Sequence, residues 1–190
     1  LGVTIGIFSI IAVLAAVDSL DRKIKKNLSS LDKNTIYLTS QSFGPTDVPR
    51  WKREQFPSVN YEEYQTLKNS LPDAEEMAFQ FFVGRESAKY DSKTVSDINV
   101  VPVSHEFTTI QQLDFAKGRF YNESESNSGA TVAVIGDEIA NVLFENADPI
   151  GKQIRLYGKR FTVIGILKKE GSSMFDSNDS SIFIPVNFIR

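Results

Sequence analysis

The sequence contains no cysteine and only one histidine, His105. The absence of cysteine excludes disulfides, thiolate metal sites and a cysteine nucleophile. A single imidazole excludes sites built from several histidines and leaves His105 as the sole candidate for an imidazole base. The phosphate-binding motifs G-x-x-x-x-G-K-[ST] and G-x-G-x-x-G are absent, and so is G-x-S-x-G. We therefore expect no catalytic residue, no cofactor and no metal site in this chain.

An excess of positive charge is also absent. Lys and Arg total 21 against 24 Asp and Glu, which gives a formal net charge of -3. Nucleic-acid-binding proteins usually carry a basic footprint, so no nucleic-acid partner is expected. The 190 residues are 41% hydrophobic, which favours a folded chain with one domain or two small subdomains.

The first seventeen residues, LGVTIGIFSIIAVLAAV, contain no charge. As a helix they would span roughly 25 Å, close to the thickness of about 30 Å of a bilayer's hydrocarbon core. Apolar side chains occur all round this helix rather than along one stripe. We predict that residues 1–17 are the outer end of a transmembrane helix, cut from a longer protein. The alternative is a cleaved signal peptide, with Val13 to Ala15 as the cleavage site.

A different pattern follows in residues 18–34. Apolar side chains recur at spacings of four, four and three, at Leu20, Ile24, Leu28 and Leu31. This spacing puts them on one helical stripe. No Pro or Gly separates the stripe from the hydrophobic segment, so one continuous helix is predicted to leave the bilayer as a stalk that packs through this stripe.

Residues 40–57 form the least regular part of the chain. They contain three Pro and one Gly and show no periodicity, which is typical of a long loop. Three aromatic residues lie in it, Phe43, Trp51 and Phe56. Such aromatics can form a partner contact, although more often they fold back and hold the loop against the body of the protein.

The remaining pattern favours an α+β fold with a mixed sheet. Asn60 and Glu63 predict a capping box that opens a helix ending before Pro72. Further along, the patterns predict strands in residues 75–90, 92–104, 131–136, 153–158, 160–169 and 182–186, and helices in 105–113 and 137–144. We expect residues 35–190 to form one domain of two subdomains, one of them discontinuous.

Two acidic pairs, Glu123 with Glu125 and Asp176 with Asp179, have the residue types of a cation site or an acid–base pair. Both pairs lie in segments rich in Ser and Asn, which favours solvated loop charges instead. His105 follows an apolar strand, and a structural or surface histidine is the expected reading.

Several segments occur in an order that is shared with a known family. They are Leu113 with Gly118 to Phe120, Val132 to Asp137, Leu143 and Phe144, Asp148 to Lys152, Ile154, Phe161 to Leu167, and Ile182 to Pro185. Together they resemble the MacB-like periplasmic core domain, which is inserted between the first two transmembrane helices of FtsX-like ABC transporter permeases. The opening LGVTIGIFSIIAVLAAVDSL is similar to the outer part of that family's first membrane helix.

The resemblance implies an extracytoplasmic domain at the bacterial inner membrane that passes on the work of a cytoplasmic ABC ATPase. It implies export of drugs, peptides or lipoproteins, or signalling, without a catalytic site in the permease. Implied partners are the ATPase, a second permease copy or homologue in a dimer, the lipid bilayer, a periplasmic adaptor and an outer-membrane channel. The alternatives are a membrane-anchored or secreted periplasmic hydrolase or ligand-binding protein, and a purely structural interaction module. A deep pocket around His105 with converging carboxylates would favour the hydrolase.

Overall fold

A computed structural model describes residues 35–39, 49, 59–145, 147–170 and 178–190. The chain divides into two compact units, Leu1–Tyr37 and Leu38–Arg190. The predicted membrane segment, the stalk stripe from Leu20 to Leu31 and the loop aromatics Phe43, Trp51 and Phe56 lie outside the described residues. No helix within the described ranges has both the length and the apolarity needed to cross a bilayer.

Helices and strands of the second unit succeed one another in an order close to the predicted one. In the described residues they are α1 (Tyr61–Ser70), β1 (Glu86–Tyr90), β2 (Lys93–Val103), α2 (Phe107–Ile110), β3 (Phe115–Gly118), α3 (Glu123–Asn127), β4 (Val132–Ile135), α4 (Asp137–Phe144), β5 (Gln153–Leu156), β6 (Lys159–Leu167) and β7 (Ser181–Pro185). Two 3₁₀ turns flank the last strand, at Asn178–Ser180 and Val186–Phe188.

All these strands belong to one mixed sheet in the order β3-β6-β4-β7-β2-β1-β5. Strand β5 also pairs with β6, so the sheet closes into a ring. The β2–β7 and β4–β6 pairs are parallel, whereas the other pairs are antiparallel. The expected α+β class with a mixed sheet is confirmed, while the division of residues 35–190 into two subdomains stays a prediction.

The core lies on both faces of the central strands. Every residue of β7 is buried, as expected for a strand with neighbours on both sides and covered faces. The larger hydrophobic cluster includes Phe161, Ile154 and Leu143, all of which are fully buried. Helix α4 contributes to this cluster through its apolar face. A second cluster on the other face contains Tyr121 and Phe183.

The hairpin of β5 and β6 shows how sequence sets local geometry. Its two-residue connection is Tyr157-Gly158, with φ of 50° and 71°. Positive φ at both positions matches the twist of the flanking strands and is cheapest for glycine. The hairpin was expected from this sequence, with the turn placed one residue later at Gly158-Lys159.

Three expectations about elements are wrong in detail. The predicted strand in residues 75–90 is a strand only from Glu86, because the preceding segment makes a single isolated bridge, between Gln80 and Val103. Strand β3 follows the predicted helix in residues 105–113 at positions where no strand was predicted. Helix α3 lies in a segment read as a solvated loop.

The hydroxyl of Tyr121 joins two central strands. Its oxygen lies 2.9 Å from the carbonyl oxygens of both Val103, at the end of β2, and Ile184, in β7. The side chain is 2% exposed, and burial raises its pKa well above the usual value. The hydroxyl therefore donates a buried hydrogen bond where water cannot replace it.

We expect Tyr121→Phe to lower the free energy of unfolding by about 1–2 kcal/mol, because two buried carbonyl groups lose their shared donor. Urea denaturation followed by circular dichroism measures the change. Tyr90→Phe is the matched control, since in the described part of the chain the Tyr90 hydroxyl makes no hydrogen bond. Equal changes in the two variants would contradict the role given to the Tyr121 hydroxyl.

Candidate functional site

Helix α1 carries the first half of a polar cluster. The helix begins with the predicted capping box: Asn60 Oδ1 accepts from the Glu63 N–H at 2.8 Å, and Glu63 Oε2 accepts from the Asn60 N–H at 2.9 Å. The cap fixes the helix register, and the spacing of four then puts Tyr64 and Lys68 on the same face. Of the helix residues, only Tyr64 is buried.

The second half of the cluster lies in the loop after β2. Ser104 anchors this loop, because its N–H donates to Phe79 O at 2.9 Å and its Oγ accepts from the Phe79 N–H at 3.0 Å. His105 and Glu106 follow directly. Glu106 is only 5% exposed, whereas His105 is 28% exposed. A carboxylate this deeply buried needs partners to remain charged.

The partners of Glu106 come mainly from α1. Its Oε1 accepts hydrogen bonds from Lys68 Nζ and, at 3.2 Å, from the Tyr64 hydroxyl. The Tyr64 hydroxyl also lies 3.1 Å from Met77 O. Glu106 Oε2 makes no hydrogen bond but lies 3.3 Å from His105 Nδ1. The imidazole can pair with the carboxylate when Nδ1 carries a proton.

These contacts shift the pKa values of three groups. Burial alone would raise the pKa of Glu106, but the hydrogen bond from Lys68 and the nearby Ser104 hydroxyl outweigh burial and lower it. The hydrogen bond to Glu106 raises the pKa of Lys68. Burial and the nearby Glu106 charge raise the pKa of Tyr64. Near neutral pH the cluster is thus an ion pair with a neutral tyrosine beside it.

A cavity of about 170 Å³ borders this cluster, between α1, the loop after β2 and α3. Its lining includes His105, Glu106 and Glu123, together with Lys68 and Asn127. Sites for organic ligands usually measure about 300–1,000 Å³, so this cavity suits water or a single small group. His105 and carboxylates do converge on this cavity, as the hydrolase alternative requires. The cavity is too small to be the deep pocket that the same alternative requires.

The chemistry of the cluster does not favour catalysis. A general base works best when its pKa lies near the working pH, but the pKa of Glu106 is lowered and Lys68 occupies Oε1. Ser104, the nearest hydroxyl in sequence, accepts the Phe79 N–H and is 3% exposed. The arrangement instead fixes α1 to the end of β2.

The two sequence-predicted acidic pairs have other roles. Glu125 belongs to a capping box with Asn122 and binds Arg119 through two hydrogen bonds, at 2.6 and 2.7 Å. The bond with Arg119 lowers the pKa of Glu125. Glu123 lines the cavity beside Glu106 instead. The expectation of solvated loop charges was wrong for Glu125, because its segment folds as α3.

Asp179 is also not a solvated charge. It is 8% exposed, and its Oδ1 accepts from the Glu170 N–H at 2.9 Å. Asp176, the other member of this predicted acidic pair, lies outside the described residues. Across the described ranges, no three His, Asp or Glu side chains cluster as a metal site would require.

Two segments that carry the family resemblance are structural. Gly118 has φ of 76°, and a Cβ there would lie 2.1 Å from Ile164 O, so β3 and β6 approach too closely for any side chain. Between α4 and β5, Asp148 Oδ1 accepts from the Ile150 N–H at 3.3 Å, and Gly151 has φ of 79°. The first is a close contact between two strands and the second is a tight turn, and both set strand positions.

The sequence analysis did not predict a functional site at Lys68, Tyr64 or Glu106. The spacing of Tyr64 and Lys68 was a usable signal, since it predicts one helix face. Nothing local marks Glu106 as their partner, because Lys68 and Glu106 are 38 residues apart.

The family model for the MacB-like periplasmic core domain matches residues 1–190. Among curated relatives, the macrolide export ATP-binding/permease protein MacB of Bdellovibrio bacteriovorus is 27% identical over 98% of this chain. The pyoverdine export ATP-binding/permease protein PvdT of Pseudomonas savastanoi pv. phaseolicola is 29% identical over 97% of it. The alignments cover only 28% and 27% of these relatives.

Two solved structures share the fold. The extracellular domain of the noncanonic ABC-type transporter YknZ from Gram-positive bacteria gives a TM-score of 0.59 at 23% identity, over 69% of this chain and 64% of that one. The periplasmic region of MacB from Actinobacillus actinomycetemcomitans gives 0.55 at 16% identity, over 66% and 56% respectively.

Proposed function

Because this chain belongs to the family of the MacB-like periplasmic core domain, we propose that it is the extracytoplasmic domain of an ABC transporter permease. In this proposal, ATP hydrolysis by a cytoplasmic partner drives motion of the domain, and the motion serves export. The observation that carries the proposal is the family match over the whole chain. Its support is the alignment over nearly all of this chain with two relatives named as export ATP-binding/permease proteins.

The location follows from the same proposal. The domain lies in the periplasm, and the rest of the protein lies in the bacterial inner membrane. Residues 1–17 end the first transmembrane helix, residues 18–34 form the stalk, and residues 35–190 form the core domain. Supporting this order are the charge-free opening segment and the apolar stripe that follows it.

The proposed partners are those that such a mechanism requires. A cytoplasmic ABC ATPase supplies the energy, and a second permease copy or homologue completes a dimer. A periplasmic adaptor and an outer-membrane channel would carry an exported molecule onward. The aromatics Phe43, Trp51 and Phe56 of the loop in residues 40–57 are proposed as a partner contact.

The polar cluster of Lys68, Tyr64 and Glu106 has a mechanical part in this proposal. A domain that passes on displacement must keep its own elements fixed relative to one another. A half-buried ion pair with an added hydroxyl holds α1 in one register against the loop after β2.

The test is a charge placed in the stalk stripe. We expect Ile24→Asp to cause the same loss of export, or of drug tolerance, as deletion of the gene. The reason is that an aspartate in a packing seam disrupts the contact between helices. The measurement compares the variant with the deletion strain and checks protein level by immunoblot.

Ser29→Asp is the matched control, since it adds the same charge about 140° away round the helix and should leave the phenotype intact. Normal export by the Ile24→Asp protein would overturn the stalk role. Loss of export in both variants at normal protein level would mean that the added charge, and not the disrupted packing of the stripe, causes the defect.

A further inference from the structure

The outer face of β1, β5 and β6 carries three basic residues in one row. Lys89 is the register partner of Arg155, and Arg155 is the register partner of Arg160. Directly opposed residues in antiparallel strands point to the same side of the sheet. All three are exposed, so the row faces away from the core. We call Lys89, Arg155 and Arg160 the basic row.

The basic row has no internal counter-charge. Within the described residues, none of its three side chains makes a hydrogen bond or an ion pair. Two basic residues beside these strands are paired, Arg85 with Asp97 and Lys93 with Glu145. The shortage of acidic partners is local to this surface, because acidic residues outnumber basic ones in the whole chain.

Like charges directly opposite one another weaken a sheet. The fold alone gives no reason for three of them in succession, and a sheet selected for stability would alternate the signs. Such a conflict between local preference and structure is expected where a surface serves binding.

The neighbours of the basic row indicate the kind of partner. The adjacent outward positions on these strands carry neutral hydrogen-bonding side chains, at Ser87, Thr94, Gln153 and Thr162. These strand positions offer no apolar side chain that would insert into a bilayer. Arginine binds carboxylates through two parallel hydrogen bonds, which suits recognition of Asp and Glu.

The spacing fits an extended acidic chain. Neighbouring strands lie about 4.8 Å apart, so the basic row is roughly 10 Å long. Alternate side chains of an extended segment are about 7 Å apart on one face. Two acidic residues at alternate positions, about 7 Å apart, therefore fit within the length of the row.

We propose that the basic row docks an acidic, extended segment of a partner protein. Binding of this segment would cancel the repulsion between Lys89, Arg155 and Arg160 that the isolated domain retains. The surface lies on a different part of the sheet from the cluster around Glu106.

The probe is a fluorescein-labelled peptide of alternating Glu and Ser, titrated with the whole 190-residue chain in a nonionic detergent. We expect saturable binding by fluorescence anisotropy in 50 mM NaCl, at least tenfold weaker in 300 mM NaCl. Arg155→Glu is expected to weaken binding at least tenfold. The variant should fold, because it puts a carboxylate between two basic side chains.

Lys169→Glu is the matched control: it makes the same change in net charge at an exposed position beyond the end of β6, and binding should stay within twofold of the parent. Circular dichroism and the thermal midpoint confirm that both variants fold. Absent binding by the parent, or equal losses in the two variants, would overturn the proposal. Tighter binding to phosphatidylglycerol vesicles or inorganic phosphate than to the peptide would also overturn it.

Discussion

Gly136→Ala is expected to destabilise the fold by about 3 kcal/mol, a large part of the roughly 5–15 kcal/mol that keeps a domain folded. Gly136 joins β4 to α4. A Cβ there would lie 2.1 Å from Asp179 O and 2.3 Å from Asn178 O. Both contacts are with backbone, which cannot rotate away as a side chain would. The 3₁₀ turn before β7 must therefore move, and with it the hydrogen bond from the Gly136 N–H to Ser181 O.

Thermal and urea denaturation measure the effect. Gly84→Ala is the control, because a Cβ at Gly84 has no heavy atom within 4 Å. At such a site the change should be neutral or slightly stabilising, since alanine restricts the unfolded chain. Similar stability in the two variants would show that the contact at Gly136 is relieved by local movement.

Lys68→Met should lower the free energy of unfolding by about 2–3 kcal/mol at neutral pH. It leaves the Glu106 carboxylate buried without its main cation, a change that costs about 3–5 kcal/mol for fully buried pairs. Lys68 is 46% exposed, so water replaces part of what is lost. The His105 imidazole, 3.3 Å from the other carboxylate oxygen, also limits the loss.

A double-mutant cycle isolates this pair. Glu106→Leu alone removes the charge that Lys68 and Tyr64 satisfy, and the double variant removes both charges. We expect the double variant to be more stable than Lys68→Met alone, with a coupling free energy of about 1–3 kcal/mol. Additive single effects would mean that the pair contributes nothing beyond its separate side chains.

The pH dependence follows from the two shifts. The pKa of Glu106 is lowered on folding, so its contribution is present above the unfolded value and is lost as pH falls through the folded value. The pKa of Lys68 is raised, so its contribution is present below the unfolded value and is lost as pH rises through the folded value. The stability difference between the parent and Lys68→Met should thus be steady from about pH 5 to 10 and shrink below and above that range. A difference independent of pH would exclude an electrostatic origin.

Local signals predicted the elements that depend on neighbouring residues. The pair Asn60 and Glu63 correctly predicted the start of α1, and the apolar run at Val132 correctly predicted β4. The same Asn-x-x-Glu pattern recurs at Asn122 and Glu125, where the surrounding Ser residues concealed it. Strand β3 has no periodicity of its own, because three of its four residues are exposed. Its pairing with β6 is what makes it a strand.

The polar cluster and the basic row could not be predicted, because both depend on pairing between distant residues. Lys68 meets Glu106 only when α1 lies across the end of β2. Lys89 and Arg155 become neighbours only through the register of β1 with β5. Sequence identifies the charges, whereas strand register decides which of them meet.

Strand β7 has a consequence for biosynthesis. It lies between β4 and β2, and its parallel pairing with β2 joins Asn99 to Ser181. Some eighty residues therefore leave the ribosome after β2 before its central neighbour exists. Until then β2 and β4 expose edges that the finished sheet covers, so completion of the domain waits for β7, and loop closure over some eighty residues makes that step slow.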